Sequence, residues 1–471
     1  MSTKTKHHDP LPDVIPHPRY RFPLVGDITA ISTSKPTQAA MRTSRNVGSP
    51  IFEQSLFGTR FVLTTSPECV ADLSDESRFA KYVSPFVDAL RGLAGDGLFT
   101  AYNHELNWDR AHNLLHPAFA QNAMKSYHDT MVAVADELVE HWDSHVGTAV
   151  DVSSDMTKLT LETIGRAGFS YSFDSFRRDQ LHPFVASMVE GLRFAQLQSF
   201  KGLPLIGKYL FPRATKRNDD ALAYLVDVVD TVIRERQEDY SRNPDGERPN
   251  DLLEIMLRAT REGDENRVDD RNIRNQVLTF LVAGHETTSG ALSFALYYLS
   301  QNPDIFAKAR AEVDDVWGEG SPSFAQVPKL RYVRRVLDET LRLWPTAPAY
   351  ARAAREDTVL AGKYPMAKDD WVVILLPGLH RDRVWGPDPE RFDPDNFLPE
   401  RVRARPAHVY KPFGTGERAC IGRQFAIHEA VIVLGTILRR YDLEPDPTYD
   451  LRVSERLTLM PEGFTLKLRR R

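Results

Sequence analysis

The chain has 471 residues, and its 60 Lys and Arg against 65 Asp and Glu leave a formal charge of -5 with interspersed signs. This excludes the basic footprint of a nucleic-acid binder. Its two cysteines, Cys69 and Cys420, exclude a disulfide framework and suit a reducing, cytoplasmic setting.

Met1 through Asp13 is polar, carries His7 and His8, and is followed by neither an apolar signal region nor a spanning-length run. A polar extension over 1–18, no membrane anchor and a soluble protein are expected. No Gly/Ser-rich or Pro-rich linker divides the remainder of the chain, so 19–471 reads as one domain with one large core. Ile51 to Thr65 and Trp371 to Leu376, rich in aliphatic and β-branched residues between Gly, Pro and Ser, read as strands. Apolar residues at three- and four-residue spacing predict helices over Met124 to Trp142, Asp219 to Arg236, Arg271 to Leu299, Ile305 to Trp317, Val327 to Trp344 and Gln424 to Tyr441. Breaks fall at Asn243-Pro-Asp-Gly246, Asn302-Pro303 and Gly318-Glu-Gly-Ser-Pro322. The fold class is therefore mainly α with a small β-rich part.

The densest chemistry lies in Lys411-Pro-Phe-Gly-Thr-Gly-Glu-Arg-Ala-Cys420-Ile-Gly422. A lone cysteine reads as a small buried hydrophobe, as Cys69 does. Here Phe413, Gly416, Arg418, Cys420 and Gly422 form F-x-x-G-x-R-x-C-x-G, a run arranged to bind a metal macrocycle through sulfur. Gly414, Gly416 and Gly422 permit a tight bend that aims backbone N–H groups at the sulfur, and the helix just beyond favours an anion at its start. Arg418 is placed to reach a haem propionate. Thiolate ligation pushes electron density onto the iron and favours O–O cleavage.

Inside the apolar helix Arg271 to Leu299 lies Ala283-Gly-His-Glu-Thr-Thr288. Burying Glu286 beside Thr287 is costly without compensation, which marks a polar feature in the core; the plainer alternative is a threonine bonded to the carbonyl four residues earlier. Glu339 and Arg342, three apart on one helix face, read alone as a surface ion pair.

Together these motifs resemble the cytochrome P-450 superfamily, over nearly the whole chain from about Arg19. The resemblance is closest to the haem domains of bacterial and fungal fatty-acid hydroxylases fused to a diflavin reductase, through Asp75-Glu-Ser-Arg-Phe79, Ala94-Gly-Asp-Gly-Leu-Phe-Thr100, Leu341-Arg-Leu-Trp-Pro-Thr-Ala-Pro348 and Leu457-Thr-Leu-Met-Pro-Glu-Gly463. It implies haem b between a long distal helix and the Cys420 loop, with Phe413, Gly414 and Ala283 beside it. Trp108 and His112, in a W-x-x-x-H match, would point at the propionates with Arg418, Arg352 and Lys81. A local distortion of the distal helix, permitted by Gly284, would form the oxygen groove. Thr287 would steady the activated oxygen, and Glu286 would join a proton relay through water. The Glu339–Arg342 pair would brace the core; its usual third partner, an arginine, is replaced by Asn396 in Phe392-Asp-Pro-Asp-Asn396-Phe397, so a charged triad is not expected.

Carried over residue by residue, the substrate pocket would be lined by Val87, Leu90, Ala94, Phe99, Ala283, Thr287, Ala347, Ala349 and Leu457, an apolar set suited to a hydrophobic substrate. The arginine and tyrosine that hold a fatty-acid carboxylate in the best-matching hydroxylases correspond to Thr59 and Leu63, with Arg60 adjacent on the strand. The leading expectation is a monooxygenase using O2 for subterminal hydroxylation of a medium- or long-chain fatty acid; alcohols, alkanes, terpenoids and small aromatics stay open. A peroxide-driven enzyme and a haem sensor without turnover are the alternatives. The sequence holds no flavin-binding domain and no iron–sulfur cysteine cluster, so electrons from NAD(P)H are expected through a redox partner, a diflavin reductase or a ferredoxin or flavodoxin, separate or detached. Lys411, Arg423, Arg439 and Arg440 flank the ligand segment and would either meet that partner or form a solvated basic face.

Overall fold

The computed structural model describes residues 10–178, 180–199 and 212–471. The segment bearing His7 and His8 lies outside them. The helices of ten or more residues among these are α1 (Pro36–Val47), α2 (Leu106–Leu115), α3 (Met124–Asp143), α4 (Val152–Phe169), α5 (Pro183–Ser199), α6 (Pro212–Arg242), α7 (Leu252–Glu262), α8 (Asp270–Gln301), α9 (Pro303–Trp317), α10 (Arg331–Leu343) and α11 (Arg423–Arg440). The strands are β1 (Ile51–Leu56), β2 (Thr59–Thr64), β3 (Phe79–Lys81), β4 (Ala149–Asp151), β5 (Ala349–Ala354), β6 (Thr358–Leu360), β7 (Tyr364–Met366), β8 (Trp371–Leu375), β9 (Tyr441–Pro445), β10 (Val453–Glu455), β11 (Leu459–Pro461) and β12 (Thr465–Arg470).

α8 is the axis of the helical body. The Asp269 side chain accepts from the Asn272 amide and starts it, and its 32 residues extend about 48 Å at 1.5 Å per residue. From Phe280 to Leu299 it is buried almost all round, which is how a helix without a polar face survives in water. α4 crosses it closely: Thr160 Oγ1 donates to the His285 carbonyl at 2.9 Å, and a Cβ added at Gly284 would sit 3.1 Å from Ile164. Gly284 is thus small for packing. α8 runs as continuous helix through Ala283–Thr288, with Thr287 Oγ1 donating to the Ala283 carbonyl.

Asn302 alone separates α8 from α9, because Pro303 cannot continue the hydrogen-bond ladder but suits a first helical turn. The helix expected over Val327 to Trp344 is split: Pro328 sits in a 3-10 turn, Leu330 leaves helical geometry, and α10 begins at Arg331.

The main sheet has the order β1-β2-β8-β5-β3, with β2 and β8 parallel and the other neighbours antiparallel. The β1–β2 hairpin turns through Phe57 and Gly58, both at positive φ. β4, β12 and β9 form a second sheet beneath the helices. Leu11 and Pro12 are tied by their carbonyls to Lys363 and Tyr364, so the chain joins the β-rich part well before the first helix.

Candidate functional site

Between α8, α4, the main sheet and the loop before α11 lies a cavity of about 690 Å³. Cys420 opens into it. The loop that presents the sulfur bends at Gly414 and Gly416, both near φ +70°, and closes when the Cys420 amide donates to the Phe413 carbonyl at 2.8 Å. A Cβ at Gly416 would also fall 2.0 Å from Glu76 Oε1. Gly422 has ordinary φ and precedes α11 as its N-cap, so it is not one of the bends. Burial pushes the thiol up, while the Gly422 N–H and the Arg423 guanidinium pull it down. An uncompensated thiolate is therefore disfavoured, and a cation facing the sulfur would reverse the balance.

The cavity rim beside this loop gathers positive charge. Arg418 lies 3.8 Å over the Trp108 ring, and its two terminal nitrogens donate to the Ala101 and Tyr102 carbonyls. Trp108 stacks in turn on His112 at 4.7 Å. Arg352 donates to the Thr415 carbonyl at 2.7 Å, and Lys81 to that of Phe99. Burial first, then the repulsion of Arg418, Arg352 and Arg91, pushes the Lys81 ammonium down to about 7. Arg352 also lies 3.6 Å from Glu76, and an anionic ligand at this wall would favour the charged form of Lys81. Trp108, His112, Lys81, Arg352, Phe413, Gly414 and Arg418 all line the cavity with Cys420, so this donor set fits a macrocycle carrying two carboxylates on one edge and bound through sulfur.

Across the cavity, α8 presents Ala283, Gly284, Thr287 and Thr288. Thr287 Oγ1 donates to the Ala283 carbonyl at 2.9 Å. Glu286 does not line the cavity: it is buried, with Oε1 3.7 Å from Arg456 and Oε2 without a hydrogen-bond partner. Its turn of α8 aims it at the β10–β11 hairpin. Burial raises its pKa, against the pull of Arg456 and Thr458.

Of the expected substrate-pocket residues, Val87, Phe99, Ala283, Thr287, Ala347, Ala349 and Leu457 line the cavity. Leu90 and Ala94 do not; both are buried in packing behind the wall, where the short helices after Pro85 turn them inward. On β2 the alternation of side chains sends Thr59, Phe61 and Leu63 to the cavity and Arg60 away, to an ion pair with Glu53. Sequence reasoning did not single out Gln54, Tyr350 or Arg456, which also face the cavity. Arg456 directly precedes the matched Leu457, and that adjacency was the available signal.

Around the site, the Glu339–Arg342 pair is fully buried and bidentate, with both contacts at 2.7 Å. Arg342 also donates to the carbonyls of His380, Pro389 and Arg391. Asn396 gives Glu339 the neutral contact expected of it, at 3.1 Å. A further cation does approach: Arg405 donates to the Asn396 carbonyl and lies 4.0 Å over Trp385. In the basic face, Arg440 is paired with Asp143 at 2.7 Å and Arg439 donates to the carbonyls of Gly318 and Gly320, while Arg423 lies over Phe413. None of the described helices is long and apolar enough to cross a membrane.

A long buried helix facing a cysteine loop across a cation-rimmed cavity defines a haem-protein architecture. The sequence model of the cytochrome P450 family matches residues 16–468, and the chain belongs to that family and has its fold. It is 43% identical over 457 residues to a bifunctional cytochrome P450/NADPH–P450 reductase of Bacillus cereus, covering 96% of this chain and 42% of that protein. It is likewise 43% identical over 459 residues to a second such bifunctional protein of Bacillus subtilis, covering 97% and 42%. A self-sufficient cytochrome P450 monooxygenase of Exserohilum turcicum is 37% identical over 449 residues, covering 95% and 41%. The chain thus spans about two-fifths of the length of the curated relatives it matches.

Proposed function

We propose that the chain is a haem-thiolate monooxygenase domain, 19–471, that hydroxylates an aliphatic substrate, with a medium- or long-chain fatty acid as the leading class. The observation that carries this reading is Cys420 facing Thr287 and Ala283 across a cavity whose rim carries Lys81, Arg352 and Arg418. Haem bound there supplies reductive activation of O2, with one oxygen atom inserted into a C–H bond and the other leaving as water. The protein's own residues do the rest. Cys420 would hold the iron through sulfur, and the rim cations with His112 and Trp108 would bind the propionate edge. Val87, Phe99, Ala347, Ala349 and Leu457 exclude water and align the chain. The Thr287 hydroxyl, bonded to the Ala283 carbonyl and lining the cavity with Cys420, would be available after a rotation to donate to a bound ligand. Electrons come from NAD(P)H through a diflavin reductase, supported by the fusion named in the relatives.

The test is spectroscopic and catalytic. The haem-loaded protein should show a red-shifted ferrous–CO band that Cys420→Ser abolishes, and should couple NADPH use to product with a surrogate reductase. Retention of the band in Cys420→Ser removes the cysteine as ligand. Turnover with peroxide but with no electron donor replaces the monooxygenase reading by a peroxygenase.

A further inference from the structure

Four cationic side chains line the cavity among the described residues, namely Lys81, Arg352, Arg418 and Arg456. The first three crowd the rim beside the cysteine loop. Arg456 stands apart from them, at the tip of the β10–β11 hairpin and against α8.

That tip is held firmly. Glu455 accepts from the Thr37 amide at 2.6 Å and from the Gln38 amide at 3.1 Å, which pins it to the first turn of α1, beside Pro36 and Thr37 on the cavity wall. The Leu459 amide donates to the Thr346 carbonyl at 2.9 Å. Gly290 lets α8 approach the hairpin, since a Cβ there would be 2.6 Å from the Leu459 carbonyl oxygen. Arg456 therefore projects from a fixed point.

Its ion pair is a long one: a Glu286 carboxylate oxygen lies 3.7 Å away, and the pull of Arg456 on that acid works against burial, which favours the neutral form. Glu455, the other carboxylate at the tip, is spent on the α1 amides. The side chain keeps 35% of its accessible surface and lines the cavity, so it can receive a ligand. At the other candidate anchor, Thr59 and Leu63 carry no charge and Arg60 is turned away to Glu53. A partly exposed guanidinium on the wall of a largely apolar cavity matches a carboxylate, which it can bind through two parallel hydrogen bonds.

We propose that Arg456 is the head-group anchor of this cavity and selects anionic aliphatic substrates, carboxylates above all. This rests on the reading of the cavity as a substrate pocket and names which end of the substrate is held and by what.

The experiment compares a saturated fatty acid with the alcohol of equal chain length, each titrated calorimetrically into the haem-loaded protein and into Arg456→Gln, Arg456→Lys and Arg60→Gln. The unmodified protein should bind the acid more tightly than the alcohol. Arg456→Gln should weaken the acid roughly tenfold or more, the scale of one charge-assisted contact, and leave the alcohol within about twofold. Arg456→Lys should restore part of the loss, and Arg60→Gln should change neither ligand. Equal weakening of acid and alcohol assigns Arg456 a merely structural role and overturns the proposal. An unmodified protein that does not favour the acid overturns it without any variant. The ferrous–CO band, recorded on every sample, reports separately on the haem-thiolate reading.

Discussion

Asn396 donates its side-chain amide to Glu339 Oε1 at 3.1 Å, on the same oxygen that accepts from Arg342 and from the Asp393 amide. Glu339 is thus held by one cation and by neutral donors. Removing the cation leaves a buried carboxylate without its counter-charge, whereas removing the amide deletes one neutral bond. Arg342→Ala should destabilise by about 3–5 kcal/mol and Asn396→Ala by about 1 kcal/mol in urea unfolding. Equal costs would mean that the amide carries more of the network than its geometry implies.

Gly416 combines positive φ with a Cβ position inside the Glu76 carboxylate. Gly416→Ala should therefore deform the cysteine loop and lower haem incorporation on expression, measured as haem per polypeptide. Gly422→Ala, at ordinary φ and with its nearest atom 4.0 Å away, should incorporate haem far better. Equal incorporation by the two variants would contradict this account of the bend.

His428, His285 and His380 are buried, and burial, the leading cause in each, pushes them down to about 4, 4 and 3. A base with a depressed folded pKa stabilises fully above its unfolded value near 6.5 and loses that stability as pH falls toward 4. His128 donates through Nε2 to the Pro322 carbonyl, so its Nδ1 must accept from His428 Nε2, 3.1 Å away. Gln in place of His428 can keep that donor without titrating. The stability gap between the parent and His428→Gln should shift in favour of the variant from pH 6.5 to pH 4, and parallel acid curves would refute the assignment.

Periodicity carried α3, α8, α9 and α11 to within a few residues, because each buries a long apolar face, and α8, α9 and α11 end at Asn-Pro, Gly and a strand. The motif residues Cys420, Arg418, Trp108 and His112 line one cavity, and their fixed types at fixed spacing, rather than periodicity, singled them out. β5 escaped, since Ala349-Tyr-Ala-Arg-Ala-Ala354 has the composition of a helix and is extended only through pairing with β3 and β8. The direction of Glu286 was also illegible. A one-residue step on a helix turns a side chain by about 100°, so Thr287 faces the cavity while Glu286 faces a hairpin some 170 residues later in the chain.

Thr287 spends its hydroxyl on the Ala283 carbonyl, a bond that contributes little to helix stability. Thr287→Ala should leave the thermal midpoint and haem content nearly unchanged, since alanine's higher helix propensity offsets the lost bond by about 0.5 kcal/mol. If the chain is the proposed monooxygenase, its effect falls on proton delivery: with a surrogate reductase the share of NADPH ending in product should fall and peroxide should rise. Unchanged coupling would assign the hydroxyl to the helix alone.

Glu429 is buried on α11, one turn beyond the cavity-lining Ala426, and neither carboxyl oxygen has a hydrogen-bond partner. Burial pushes its pKa up to about 8, with Thr163 the opposing contact. For an acid raised above its unfolded value of about 4.5, folded and unfolded states are both protonated below that value, and no penalty arises. Between pH 4.5 and pH 8 the unfolded chain releases a proton that the folded protein retains, so stability falls with rising pH by up to about 1.4 kcal/mol per unit. Glu429→Gln keeps the shape and cannot ionise. It should match the parent near pH 4.5 and exceed it increasingly toward pH 8, measured by urea unfolding at fixed ionic strength. A constant difference between the two across that range would mean that Glu429 is ionised in the fold and has found a partner.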